Sequence, residues 1–201
     1  MTDFELHVTI NVSDYFHARA TQAPNEKLLT ASNDHGTHPI QHIFTKWLVK
    51  SDFKTSFETI NSYSKELEER GLNVTRKKIE QEIDGPVSDC DYKLETGQYF
   101  EMHYKIPSNT STFTKIRKFI SEMNKKYNTK YFGVSTLIIS KENDFNPIVT
   151  IRTFENNIKE LNNLFLDWID KEKIKITKRH KEICLYDSWP EEDEGWIVTS
   201  I

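Results

Sequence analysis

The sequence predicts an α+β protein made by internal duplication of a ferredoxin-like, split βαβ unit, its antiparallel sheets carrying helices on one face. Three observations lead there. Phe4 to Ile10 reads FELHVTI and Phe100 to Ile106 reads FEMHYKI, sharing Phe, Glu, His and Ile in register. NVTRKKIEQEI from Asn73 aligns with KITKRHKEICL from Lys175, each an extended run with a basic middle. Ahead of those runs, Phe57, Ile60, Tyr63 and Leu67 in one half and Ile158, Leu161, Leu164 and Trp168 in the other recur at helical spacing.

The elements follow in order. FELHVTI is the first strand, Ser13 to Ile40 is a long loop, and HIFTKWLVK is the second strand. A helix from about Phe53 and the strand VTRKKIEQEI complete residues 1–84, a degenerate half. The turn-forming stretch Asp84 to Gly97 marks the boundary. Residues 98–188 form the complete half. There YFEMHYKI precedes a helix striped by Phe113, Ile116, Ile120, Met123 and Tyr127. YFGVSTLIIS, a turn at Asn143 to Pro147, IVTIRTF, a helix from about Asn156 and KIKITKRHKEICLYD give the order βαββαβ. Residues 189–201 form an acidic tail flanked by Trp189 and Trp196.

Composition bounds the function. The 201 residues, 36% hydrophobic and 29% charged, exclude disorder for the bulk of the chain. With 27 basic against 31 acidic side chains, the net charge of -4 argues against general duplex DNA binding. Two cysteines, Cys90 and Cys184, are too few for a disulfide framework and point to a reducing compartment. The first residues show neither a signal peptide nor a membrane span, so the expectation is a cytoplasmic protein without membrane contact. No glycine-rich phosphate loop, nucleophile elbow or HExxH string occurs.

Strand alternation concentrates the chemistry. In the first strand Phe4, Leu6, Val8 and Ile10 face one way and Glu5, His7 and Thr9 the other. In the repeat, Phe100, Met102, Tyr104 and Ile106 oppose Glu101, His103 and Lys105. Two such open faces meeting across a cleft would place both histidines on one surface. LHVTI, with the degenerate second copy MHYKI, resembles the signature of the two-histidine, LigT-like phosphoesterases. That resemblance implies a phosphodiesterase or cyclic phosphodiesterase acting without metal or cofactor. Carried over, His7 and His103 would be acid and base and Thr9 a hydrogen-bond donor to phosphate; outside the resemblance, where Lys105 replaces the family's Thr or Ser, Lys105 would hold phosphate by charge and Glu5 and Glu101 would orient the histidines. Arg152, Lys77 and Arg179 add charge for a nucleotide or cyclic phosphate.

A second reading of the same residues is a non-catalytic interaction or sensing protein, its histidines bonded to neighbouring glutamates and its sheet holding a protein partner or small ligand. His35, His38 and His42, with Asp34, could suit zinc or another transition metal, but their spacing fits no strong metal signature and a polar loop holding a few histidines is the better reading. The runs Arg76 to Lys78 and Lys178 to His180 either bind phosphate or guard edge strands with charge. YDSWPEEDEGWI resembles the ending of an uncharacterised bacterial family, and the tail is a partner-binding segment, a flap over the sheet or, as the favoured reading, a solvated acidic turn anchored by two tryptophans.

Overall fold

A computed structural model describes residues 2–83, 92–107, 110–128, 131–139 and 145–197. The elements run β1 (Thr2–Ile10), α1 (Tyr15–Thr21), β2 (Lys27–Asn33), β3 (Ile40–Ser51), α2 (Phe53–Glu69) and β4 (Val74–Glu82). The second half holds β5 (Tyr99–Lys105), α3 (Thr110–Tyr127), β6 (Phe132–Ile139), β7 (Phe145–Thr153), α4 (Ile158–Lys171) and β8 (Lys178–Asp187). A last 3-10 turn spans Pro190–Asp193. Most of the stretch from Asp84 to Gly97, including Cys90, and part of the turn from Asn143 lie outside the described residues.

The eight strands close into one barrel in the order β1-β3-β2-β6-β7-β5-β8-β4, every neighbouring pair antiparallel. This corrects the expected fold. Open, ferredoxin-like duplicated sheets with helices on one face would leave four strand edges with unpaired backbone groups. Here β2 bonds β6 and β4 bonds β8, which removes those edges. Residues 13–40 are not a loop: they contain α1 and β2, and β2 is the strand that makes one of the two seams.

Closure sends the apolar strand faces outward, under the helices. Phe4, Leu6, Val8 and Ile10 pack with Ile60, Tyr63 and Leu67 of α2, all buried. Met102, Tyr104 and Ile151 pack with Ile116 and Phe119 of α3 and with Leu161, Phe165 and Ile169 of α4. Asp52 caps α2, its carboxylate accepting the Thr55 N–H at 2.8 Å, and Gly71 ends that helix region at φ +85°, where a side chain would be strained. Leu164 and Trp168 flank the α4 stripe rather than centre it, because Phe165 and Ile169 take the buried positions. Among the described residues no helix is long and apolar enough to cross a membrane.

Candidate functional site

The faces left for the lumen are those that alternation made polar. Register places Glu5, His7 and Thr9 of β1 beside Lys78 and Arg76 of β4, and Glu101, His103 and Lys105 of β5 beside Glu182, His180 and Lys178 of β8. Arg152 and Thr150 of β7 lie across from Glu101 and His103. The enclosed space is about 340 Å³. Its remaining wall, from β2, β3, β6 and the start of β7, contributes Leu29, Ala31, Ile43, Leu137 and Ile148.

The two ends differ. At one, Lys27 and Lys178 are exposed, Lys105 is half-buried and Trp47 is 41% exposed, so a lysine-bearing mouth opens to solvent. The other end is closed by the chain's C-terminal segment. Asp193 is buried there, 3.0 Å from Arg76 and 2.6 Å from Arg152, and it accepts from the Gln41 amide at 2.7 Å. Trp196 donates its indole N–H to the Val134 carbonyl and lies so close to Gly133 that a Cβ there would sit 2.9 Å from the ring. The expected solvated acidic turn is thus a floor, with Glu192 and Asp193 buried.

Ion pairs fill the middle layer. The Lys78 ammonium bridges Glu80 and Glu101, and Glu101 also pairs with Arg152 at 2.7 Å. His7 Nε2 lies 3.1 Å from Glu80 and 3.5 Å from Glu5. His103 Nε2 lies 3.2 Å from Glu182, and its Nδ1 meets the Thr150 hydroxyl at 2.9 Å. His180 Nε2 is 2.7 Å from Glu182 Oε1, with its Nδ1 3.3 Å from Glu82.

These neighbours set the charges. Burial disfavours the His7 imidazolium, but Glu80 and Glu5 outweigh it and raise the group to about 10. His103 and His180 are raised in the same way against burial, the former by Glu182 and Glu101, the latter by Glu182 and Glu5. Burial pushes Asp193 up, yet Arg76 and Arg152 hold it well below the usual carboxylate range. Glu192 is raised to about 7 because burial and nearby Asp193 outweigh Arg76.

Seven of the residues expected at the site line this lumen: His7, His103, Glu5, Glu101, Thr9, Lys105 and Arg152. Lys77 and Arg179 do not. Alternation turns Lys77 outward to the Asn61 side chain of α2, at 2.7 Å, and leaves Arg179 exposed. Their sequence neighbours Arg76, Lys78, Lys178 and His180 face inward instead, as do Glu80, Glu182 and Asp193. The alternation rule, applied to β4 and β8 as it was to β1 and β5, finds all of these except Asp193.

The hydrolase assignment is corrected as well. It needed two imidazoles free to exchange protons across an open cleft, whereas the closed barrel replaces the cleft and each imidazole is engaged by buried carboxylates. Comparison with known proteins adds little. No family model matches the chain, and no curated protein does. A crystal structure described as a "putative monooxygenase" from Lactobacillus acidophilus NCFM aligns over 92% of this chain and 94% of its own, at 9% identity and a TM-score of 0.33. A likeness of that strength carries no argument.

Proposed function

We propose that this protein is a small-molecule-binding barrel whose lumen takes up an anionic ligand with an apolar body. One juxtaposition supports the reading: Lys27, Lys105 and Lys178 ring the open mouth, and just inside them Leu29, Ile43, Leu137 and Ile148 form an apolar surface. The lysines attract and hold the anion, the apolar wall removes the ligand's body from water, and the closed floor limits its length. A space of about 340 Å³ suits a compact molecule; nucleotides and cyclic phosphates fall within the class. The buried, unpaired Cys184 thiol is compatible with a cytoplasmic setting.

The test uses anilinonaphthalene sulfonate, an anion on an apolar ring system. The expected result is saturable binding of one probe per barrel, with quenching of Trp47, weakened by salt. Ala31→Phe, which fills the lumen, should abolish binding with an unchanged circular dichroism spectrum. The pair Lys105→Met and Lys178→Met should weaken it by about tenfold, since two solvent-accessible charge contacts are worth roughly 1 kcal/mol or less each. Undiminished binding to the Ala31→Phe protein would overturn the reading.

A further inference from the structure

The middle layer holds more carboxylates than its lysine and arginine side chains can match. Glu80 and Glu101 are answered by Lys78 and Arg152. Among the described residues the ion pairs of Glu5 and Glu182 are with histidines rather than with Lys or Arg. Glu182 is almost wholly buried, at 2% exposure.

The geometry around that pair is specific. One carboxylate oxygen from Glu5, one from Glu182 and one ring nitrogen of His180 lie within 4.8 Å of one another. Glu182 Oε1 and His180 Nε2 are 2.7 Å apart, both buried, and neither makes a hydrogen bond of acceptable angle. That spacing is close to the roughly 2.9 Å edge of an octahedron, and shorter than the roughly 3.3 Å edge of a tetrahedron, whose bonds to a shared ion are about 2.0–2.1 Å long. The other atoms of each group are already anchored. His103 engages Glu182 Oε2 at 3.2 Å, and Glu82 lies 3.3 Å from His180 Nδ1, which leaves Nε2 directed at the cluster. A carboxylate behind the second ring nitrogen is what fixes and strengthens a ligating imidazole.

We propose that Glu5, His180 and Glu182 form a site for a first-row divalent transition cation, with Glu82 and His103 as positioning residues. Two carboxylates and one imidazole make a mixed oxygen and nitrogen set suited to Mn²⁺, Fe²⁺, Co²⁺ or Zn²⁺ rather than to a thiolate-seeking ion. One divalent ion balances the charge of the two carboxylates. The overlapping group of Glu80, Glu101, His103 and Glu182 is the poorer candidate because the Lys78 ammonium already sits between Glu80 and Glu101. This site lies deeper than the lysine mouth and does not depend on the anion reading.

The full chain, stripped with chelator, is titrated with Co²⁺ near neutral pH. The expected result is one equivalent bound with a visible ligand-field band, displaced by Zn²⁺, and paramagnetic shifts at the His180 ring protons. Glu182→Gln and His180→Gln should each lower affinity at least about tenfold, and Glu82→Gln by about tenfold with the band retained. The pair His35→Gln and His38→Gln, two exposed loop histidines, serves as control. Loss of the band in that control alone, or a wild-type protein whose His180 resonances ignore Co²⁺, would overturn the site. The second readout needs no variant and so survives any failure to fold. Anilinonaphthalene sulfonate binding, followed in the metal-free protein, separates failure of this site from failure of the anion reading.

Discussion

The two walls of the lumen come from strands of one barrel and obey opposite rules. The arc β1-β4-β8-β5, with Arg152 of β7, carries eleven or more groups that need partners, and its interior is knitted by ion pairs. The arc β3-β2-β6 lines the lumen with Leu29, Ala31, Ile43 and Leu137, and with the uncharged polar Asn33, Gln41 and Ser135. A buried apolar side chain with an empty side has already forfeited part of its packing, whereas a buried charge without its partner is penalised heavily. The charged wall therefore holds the barrel's geometry, and the apolar wall is left free to be shaped for a ligand.

The largest effect expected follows from that contrast. Arg152 is 1% exposed and answers both Glu101 and Asp193. Arg152→Met should cost about 3–5 kcal/mol, because it leaves buried carboxylates short of a cation. Ile43→Ala, on the opposite wall, should cost about 1 kcal/mol or less, below the usual range for a packed core site. Urea midpoints of the two variants measure the difference. Equal losses would erase the distinction between the walls.

Next comes the floor, where the walls meet the C-terminal segment. Glu192 is raised to about 7 in the fold against 4.5 for the free group, so the folded protein holds a proton that the unfolded chain releases. Its contribution is fully present below about pH 4.5 and is lost as pH rises through 7. Glu192→Gln lacks that loss. It should be more stable than the parent above pH 7, by on the order of 1–3 kcal/mol, and equal to it near pH 4. Thermal melts at the two pH values give the answer, and an advantage that is the same at both would remove the proton linkage.

Gly133→Ala probes the same floor by shape. The added methyl would meet the Trp196 ring at 2.9 Å, between β6 backbone and the segment that closes the barrel. Such overpacking costs roughly 1–2 kcal/mol and should displace the indole, seen as a red shift of Trp196 emission in a background with Trp47, Trp168 and Trp189 replaced by Phe. Unshifted emission would mean that the floor yields without moving the tryptophan.

Much of this arrangement is legible in the sequence. Period-two alternation in FELHVTI and FEMHYKI separates the helix-facing residues from Glu5, His7, Glu101 and His103, and the structure places these on the lumen side. Two things are not legible. Barrel closure depends on β2, whose KLLTASN has Leu28 and Leu29 adjacent and small polar residues after them, so neither period stands out and the strand hides inside a presumed loop. Asp193 is invisible for a different reason: an acidic run beside tryptophan reads as solvated, and only the meeting of Arg76 and Arg152 from separate halves makes a buried place for its carboxylate.

The smallest effect tests the alternation itself. Lys77 and Arg179 sit between inward-facing neighbours in the two basic runs, yet both point away from the lumen, Lys77 to Asn61 and Arg179 to solvent. If charge in the runs acted without regard to side, removing these two would weaken anion binding as much as removing Lys105 and Lys178. If the barrel wall separates them from the ligand, the pair Lys77→Ala and Arg179→Ala should change anilinonaphthalene sulfonate affinity by less than about twofold and stability by about 0.5 kcal/mol. Both measurements compare like with like, since each pair removes two positive charges from the same protein. A loss matching that of the mouth lysines would mean that long-range charge, rather than the lumen's two-walled lining, draws the anion in.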